Sequence, residues 1–310
     1  MLEQFWHYPR TSFPLLRQSF LIAVAALCGV TFSMLARQAD QPVDLPMLLS
    51  ILHWFWTFGV AFVSTLGFFF QLWVATEHHV DCVASLLHAD YLAWRQPLTR
   101  RQLICWLGVI MFVQLVLAVW LQIALLFPLL LIWGYLGLID KAFFMRPWLK
   151  RYPLAYPFAQ LMLIPLLFFY ITACDWLVIG AAPPAGLAWF LISGFFCGLI
   201  FEIGCKIRAP QDEEAGVDTY SKWWGRRTAV TGWVFAIALT GISLTFAAEA
   251  LRTSILLLAL AFSLLTGAVL IGERFLETPL TLYAGSIQKF STLCMVLLYL
   301  GLAVMPLFFV

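Results

Sequence analysis

LICWLGVIMFVQLVLAVWLQIALLFPLLLIWGYLGL, residues 103–138, is an apolar run of 36 residues whose only strongly polar side chains are Gln114 and Gln122. One helix of that length would reach ~54 Å at 1.5 Å per residue. The hydrocarbon core of a bilayer is only ~30 Å thick and is crossed by ~20 residues, and tilt absorbs a modest excess. The run therefore reads as two spans, 103–119 and 121–138. A tight hairpin near Trp120 joins them, with Gln122 close to the turn and Pro128 in the returning helix.

The rest of the chain has the same character. It is 63% hydrophobic and 11% charged, against ~25% charged in globular proteins. Further spans are predicted at 18–37, 47–72, 153–178, 186–203, 228–247, 253–272 and 290–309, giving nine in a single domain over 1–310. The expected fold is an all-α polytopic membrane protein. The first apolar segment follows an aromatic lead and outruns the apolar region of a signal peptide, so it reads as a span.

Charge tests the hairpin. With nine spans, one face receives Arg10, Arg17, Arg95, Arg100, Arg101, Lys141, Arg146, Lys150, Arg151, Lys206, Arg208, Lys222, Arg226, Arg227, Arg274 and Lys289, which is 16 of the 18 basic residues. Only Arg37 and Arg252 fall on the other. A single span over 103–138 would destroy that asymmetry, so the positive-inside rule supports nine spans with a cytoplasmic N-terminus. The expected location is a bacterial cytoplasmic membrane. Topology accounts for the basic residues, and no nucleic-acid partner is expected. Seven cysteines, an odd number, lie in spans or on the basic face, which argues against a disulfide framework.

Two long polar loops, about 73–102 and 204–227, follow the second and sixth spans, and each ends in an Arg pair, Arg100-Arg101 and Arg226-Arg227. That spacing predicts two pseudo-repeated four-helix halves plus a ninth helix, around a central cavity under both loops. In the first loop, Glu77, Asp81, Ser85 and His88 share one face if the second helix continues. Carboxylates at i and i+4 can hold Mg²⁺ together with substrate phosphates, while an added imidazole favours Mn²⁺ or Zn²⁺. In the second loop, Glu202 and Lys206 form an i, i+4 pair on a helix that Pro210 is expected to end. Lys206 and Arg208 have the charge and donor geometry to clamp a diphosphate. Elsewhere, Asp175 with Tyr170 reads as an interfacial cap and His53 as a hydrogen-bonded packing residue.

The second loop resembles that of the UbiA superfamily of intramembrane prenyltransferases. The matching pattern is E-x-x-R-K-I-R-A-P-x-x-E-x-x-G-V-D-T-Y-S, fitted by Glu202, Lys206, Ile207, Arg208, Ala209, Pro210, Glu213, Gly216, Val217, Asp218, Thr219, Tyr220 and Ser221. Cys205 stands where the pattern has Arg. Lys141, Phe143, Phe144, Trp148 and Leu149 resemble the middle K-E-F-F…W-L segment, with Ala142 in place of the acid.

The resemblance implies a transferase that moves a prenyl chain from a polyprenyl diphosphate to a lipophilic or aromatic acceptor. It implies Mg²⁺ held by loop carboxylates, with Mn²⁺ a substitute. Carried onto this chain, the catalytic residues are Asp81, Glu202 and Lys206. The diphosphate-binding residues are Lys141, Arg208, Arg95, Arg100 and Lys150, and the metal set is Asp81, Asp212, Glu77 and His88. Membrane lipids complete the expected partners. The chain departs from the family at Ser85 and Ala89, which replace two acidic positions of the first loop, and at Arg208, which opens the more typical D-x-x-x-D of the second. Two alternatives stay open. One is a relative that binds or moves an isoprenoid or lipid without transfer, and the other is a transporter, against which the scarcity of ionisable residues within the spans argues.

Overall fold

A computed structural model of the protein describes residues 15–40, 47–77, 100–145, 155–213 and 219–309. Among them every regular element is helical. We label the α-helices α1 (Leu15–Asp40), α2 (Met47–Glu77), α3 (Arg100–Leu121), α4 (Leu126–Asp140), α5 (Ala155–Leu161), α6 (Leu163–Trp176), α7 (Leu187–Cys205), α8 (Tyr220–Trp223), α9 (Arg226–Glu249), α10 (Ser254–Glu277) and α11 (Thr281–Phe309). Among the described residues nine stretches are long and apolar enough to cross a membrane, with α5 and α6 together forming the fifth and α8 lying in the second loop.

The 103–138 run folds as expected. The α3 helix ends at Leu121, and Gln122 turns the chain in an extended conformation, its side chain accepting a hydrogen bond from the Ile123 amide at 3.0 Å. Pro128 lies in the first turn of α4, where its missing N–H breaks no helical bond. The fifth span departs from a single helix: it breaks at Met162. Pro165 explains the break, because a continuous helix would set its ring against the carbonyl of Leu161, four residues back.

Two boundaries move. The α7 helix stops at Cys205 with Lys206 as its cap, before Pro210 is reached. The α11 helix starts at Thr281 rather than 290. Its polar first turns are satisfied by tertiary partners: Thr281 and Gln211 are 3.1 Å apart, and Gln288 reaches the Cys205 sulfur at 3.6 Å.

The leading helices of the two halves, α1 and α6, pack against each other, and α6 also touches α2, α4 and α7. Spans α7, α9 and α10 pack in sequence, and α11 lies against α10, α1 and α7. At the level of Phe32 and Phe190 the junction between halves is closed by rings. Phe32 stacks on Phe190 at 4.8 Å, and Phe168 lies 4.9 Å from Phe190 and 5.3 Å from Tyr299. Gly194 and Gly198 hold α7 close to α6: a Cβ at either would overlap Phe168 or Ile164. Small residues four apart are a common device where hydrophobicity alone cannot drive helices together in lipid.

Alternation of the spans puts the ends of α2, α4, α7 and α10 on one face, with the starts of α3, α5, α9 and α11. We call this the loop face.

Candidate functional site

On the loop face α7 presents Glu202 in its last turn. Lys206, one turn later, forms an ion pair with it, and the side chains are 22% and 18% exposed. Partial burial strengthens such a pair relative to one in water. The chain then runs extended through Ala209 into a short 3₁₀ turn at Pro210–Asp212.

The α8 turn folds back over this strand. The Tyr220 amide donates to the Lys206 carbonyl at 3.2 Å, and the Arg208 amide donates to Ser221 Oγ at 2.8 Å. Thr219 caps α8 by accepting from the Lys222 amide at 3.2 Å. Ile207, Ala209, Tyr220 and Ser221 are buried beneath this fold.

Tyr220 ties the cluster together. Its hydroxyl donates to Glu202 Oε1 at 3.2 Å, and the Lys206 ammonium lies 5.5 Å from its ring centroid, within cation–π reach. Burial first, then the Glu202 charge and the hydrogen bond to it, push the Tyr220 phenol well above its usual range. It stays a neutral donor at any physiological pH. The cluster is therefore a carboxylate, an ammonium and a phenol, and Arg208, two residues beyond Lys206, is exposed.

The other predicted residues are scattered or lie elsewhere. Asp212 accepts from Thr281 Oγ1 at 3.0 Å, which ties it to α11. Lys141 is 62% exposed and pairs with its neighbour Asp140 at 3.1 Å. It precedes a left-handed turn, with φ of 49°, 53° and 56° at Ala142, Phe143 and Phe144. Glu77 closes α2 and Arg100 opens α3. Asp81, His88, Arg95 and Lys150 lie outside the described residues.

Among the described residues no three His, Cys, Asp or Glu side chains converge as metal ligands. Glu202 is already engaged by Lys206 and Tyr220, so it and Asp212 do not by themselves suit Mg²⁺, and no step is assigned to a metal here.

A second polar cluster lies at the opposite face, and it corrects the reading of Asp175 as an interfacial cap. Asp175 is fully buried. It accepts from Ser33 Oγ at 2.8 Å, from Arg37 Nε and Nη2 at 3.3 Å each, and sits 3.2 Å from His53 Nε2. Thus α1, α2 and α6 are clasped around one carboxylate. Arg37 is itself only 3% exposed, and its Nη1 has no partner among the described residues. Tyr170 instead donates to Ser64 Oγ at 3.2 Å. His53 is the hydrogen-bonded packing residue expected. The missed signal was positional: Arg37 and Asp175 each lie near the far end of their span on the same face.

A third network sits between α2, α3 and α4. Gln114 Oε1 accepts from Gln71 at 2.8 Å and Trp133 at 3.0 Å, while its amide donates to the Ser64 carbonyl at 2.9 Å. Compared with models of known families, with characterised proteins and with solved structures, the chain matches none.

Proposed function

We propose that the protein transfers a prenyl chain from a polyprenyl diphosphate to a lipophilic or aromatic acceptor at the loop face. The observation that supports this reading is the joining of Glu202, Lys206 and Tyr220 into one half-buried cluster, with Arg208 two residues beyond Lys206. These are residues of the resembled second-loop pattern, brought together by the α7–α8 fold. In the reaction the allylic C–O bond breaks, the diphosphate leaves with the bonding pair, and the acceptor attacks the allylic cation and then releases a proton. Lys206 and Arg208 stabilise the leaving diphosphate, because fixed positive charge in a partly dry site acts where negative charge develops. Tyr220 supplies a neutral hydrogen-bond donor, and Glu202 holds Lys206 in place until substrate arrives. Asp81, which lies outside the described residues, is the first-loop carboxylate that the resemblance would give to Mg²⁺. The setting is a bacterial cytoplasmic membrane with the loop face cytoplasmic.

The test uses the full chain in detergent with polyprenyl diphosphates of several lengths, an aromatic acceptor and Mg²⁺, and it measures diphosphate release. Lys206→Ala is expected to lower turnover at least ~100-fold, the scale of losing one transition-state donor. Asp81→Ala is expected to do the same, and full activity in that variant removes the metal role.

A second reading is a protein that holds an isoprenoid without cleaving it. It is favoured by the Glu202–Lys206 pairing, which already neutralises the principal cation. Tight retention of the prenyl lipid with no diphosphate release at any chain length selects it.

A further inference from the structure

Two clefts meet on the outer side of α9. The first, about 360 Å³, is lined by Trp224, Gly225, Arg226, Arg227, Thr228 and Leu276. Among the described residues its lining holds two arginines and no acidic residue. The second, about 570 Å³, is lined by Trp224, Thr228, Thr231, Gly232 and Phe235. Trp224 and Thr228 belong to both, so the cationic cleft opens into the groove.

The spacing explains the groove. Thr228, Thr231, Gly232 and Phe235 follow i, i+3, i+4, i+7 and form one stripe of α9. From Arg227 to Phe235 the stripe descends ~12 Å at 1.5 Å per residue, which carries it from the loop face well into hydrocarbon. Phe235 is 62% exposed, so the groove faces outward from the bundle. Gly232 forms its floor: an added Cβ there would meet only Ile203 Cδ1, at an ordinary 3.8 Å. The packing does not require a glycine at this position, although a mid-helix glycine costs ~1 kcal/mol against alanine.

We propose that this is a binding site for an anionic phospholipid, whose phosphate sits between Arg226 and Arg227 and whose acyl chain lies in the Thr228–Phe235 groove. Charge complementarity selects an anionic headgroup over a zwitterionic one, because among the described residues the cleft offers two arginines and no carboxylate. The apolar groove opening sideways to the bilayer selects a lipid over a soluble phosphate. The position gives the lipid a consequence: Trp224, which lines both clefts, packs on Tyr220 with ring centroids 4.6 Å apart. A chain held against Trp224 steadies the ring whose hydroxyl bonds Glu202.

Native mass spectrometry of the full chain in detergent, titrated separately with phosphatidylglycerol, phosphatidylcholine and inorganic phosphate, tests this. Phosphatidylglycerol is expected to give a saturable adduct while the other two do not. Arg226→Gln with Arg227→Gln should weaken it about thirtyfold, from ~1 kcal/mol per basic residue near an anionic surface. Gly232→Leu fills the groove without touching the charges, and should weaken phosphatidylglycerol binding while the unfolding midpoint of the lipid-free protein does not fall below the wild-type value. Equal binding of phosphatidylcholine overturns the headgroup assignment. Wild-type affinity in Gly232→Leu overturns the groove, and binding of inorganic phosphate as tight as that of the lipid reduces the site to a plain anion site.

Discussion

Removing one member of the Arg37–Asp175 pair strands the other charge among apolar side chains, which costs about 3–5 kcal/mol where both partners are buried. Asp175→Ala or Arg37→Ala should therefore lower the thermal midpoint sharply, as followed by tryptophan fluorescence in micelles. Arg37→Met combined with Asp175→Leu should recover much of the loss, because no unpaired charge remains. An additive double variant would show that the two residues act separately. The pair was hidden in the sequence because its members are 138 residues apart and only helix packing joins them. Glu202 and Lys206 were legible because i, i+4 spacing on one helix needs no tertiary knowledge. Asp175 also qualifies an argument made from composition: ionisable groups are buried in this bundle, although near the ends of their spans. Tyr220 gives a pH prediction of definite sign. Its folded phenol is raised, so its contribution is intact below pH ~10. Above that the unfolded chain gives up a proton the folded chain retains, and stability falls. Unfolding midpoints measured from pH 8 to 11 should decline less steeply in Tyr220→Phe than in the wild type.

Among the elements, α3 depends most on polar contacts. Only 11% of its most apolar window is buried, and among the described spans it packs chiefly on α2 and α4. Gln114 is its main polar anchor, accepting from Gln71 and Trp133 and donating to Ser64. Interhelical hydrogen bonds in lipid average ~0.6 kcal/mol and reach ~1.7, so Gln114→Leu should destabilise the first half by about 1–2 kcal/mol. Reversible unfolding in mixed micelles reads this, and an unchanged midpoint would sink the anchoring role. The α6–α7 contact predicts more damage from less change. Gly194→Ala puts a methyl into the ring of Phe168, itself buried and unable to swing away, and overpacking of this kind costs about 1–3 kcal/mol. Span positions were legible because hydropathy alone decides which residues enter lipid. The ends of α7 and α11 were not, because Lys206, Thr281 and Gln288 are placed by partners from other helices. The same limit applies to the site: its residue types were visible at 202–221, but the fold of α8 onto Tyr220 was not.

For the molecule as a whole, the charge asymmetry that first suggested nine spans also bears on orientation. Arg37, paired with Asp175 inside the bundle, and the exposed Arg252 are the basic residues assigned to the face opposite the loops. Sixteen others fall in segments assigned to the loop face. The positive-inside rule counts basic residues close to the ends of spans, and acidic residues contribute little to it. The contrast of sixteen to two supports the proposal that the loop face, with Glu202, Lys206 and Tyr220, is cytoplasmic. Two single-cysteine variants decide this. Gln122→Cys sits in the α3–α4 turn on the opposite face, and Lys222→Cys sits in α8, exposed on the loop face. Against the parent chain as background, a membrane-impermeant maleimide applied to intact cells should label Gln122→Cys and leave Lys222→Cys unlabelled until the membrane is opened. The reverse pattern overturns the orientation while leaving the hairpin intact. Labelling of both from outside would overturn the three spans counted between them, and failure of Gln122→Cys to label from either side would overturn the hairpin itself.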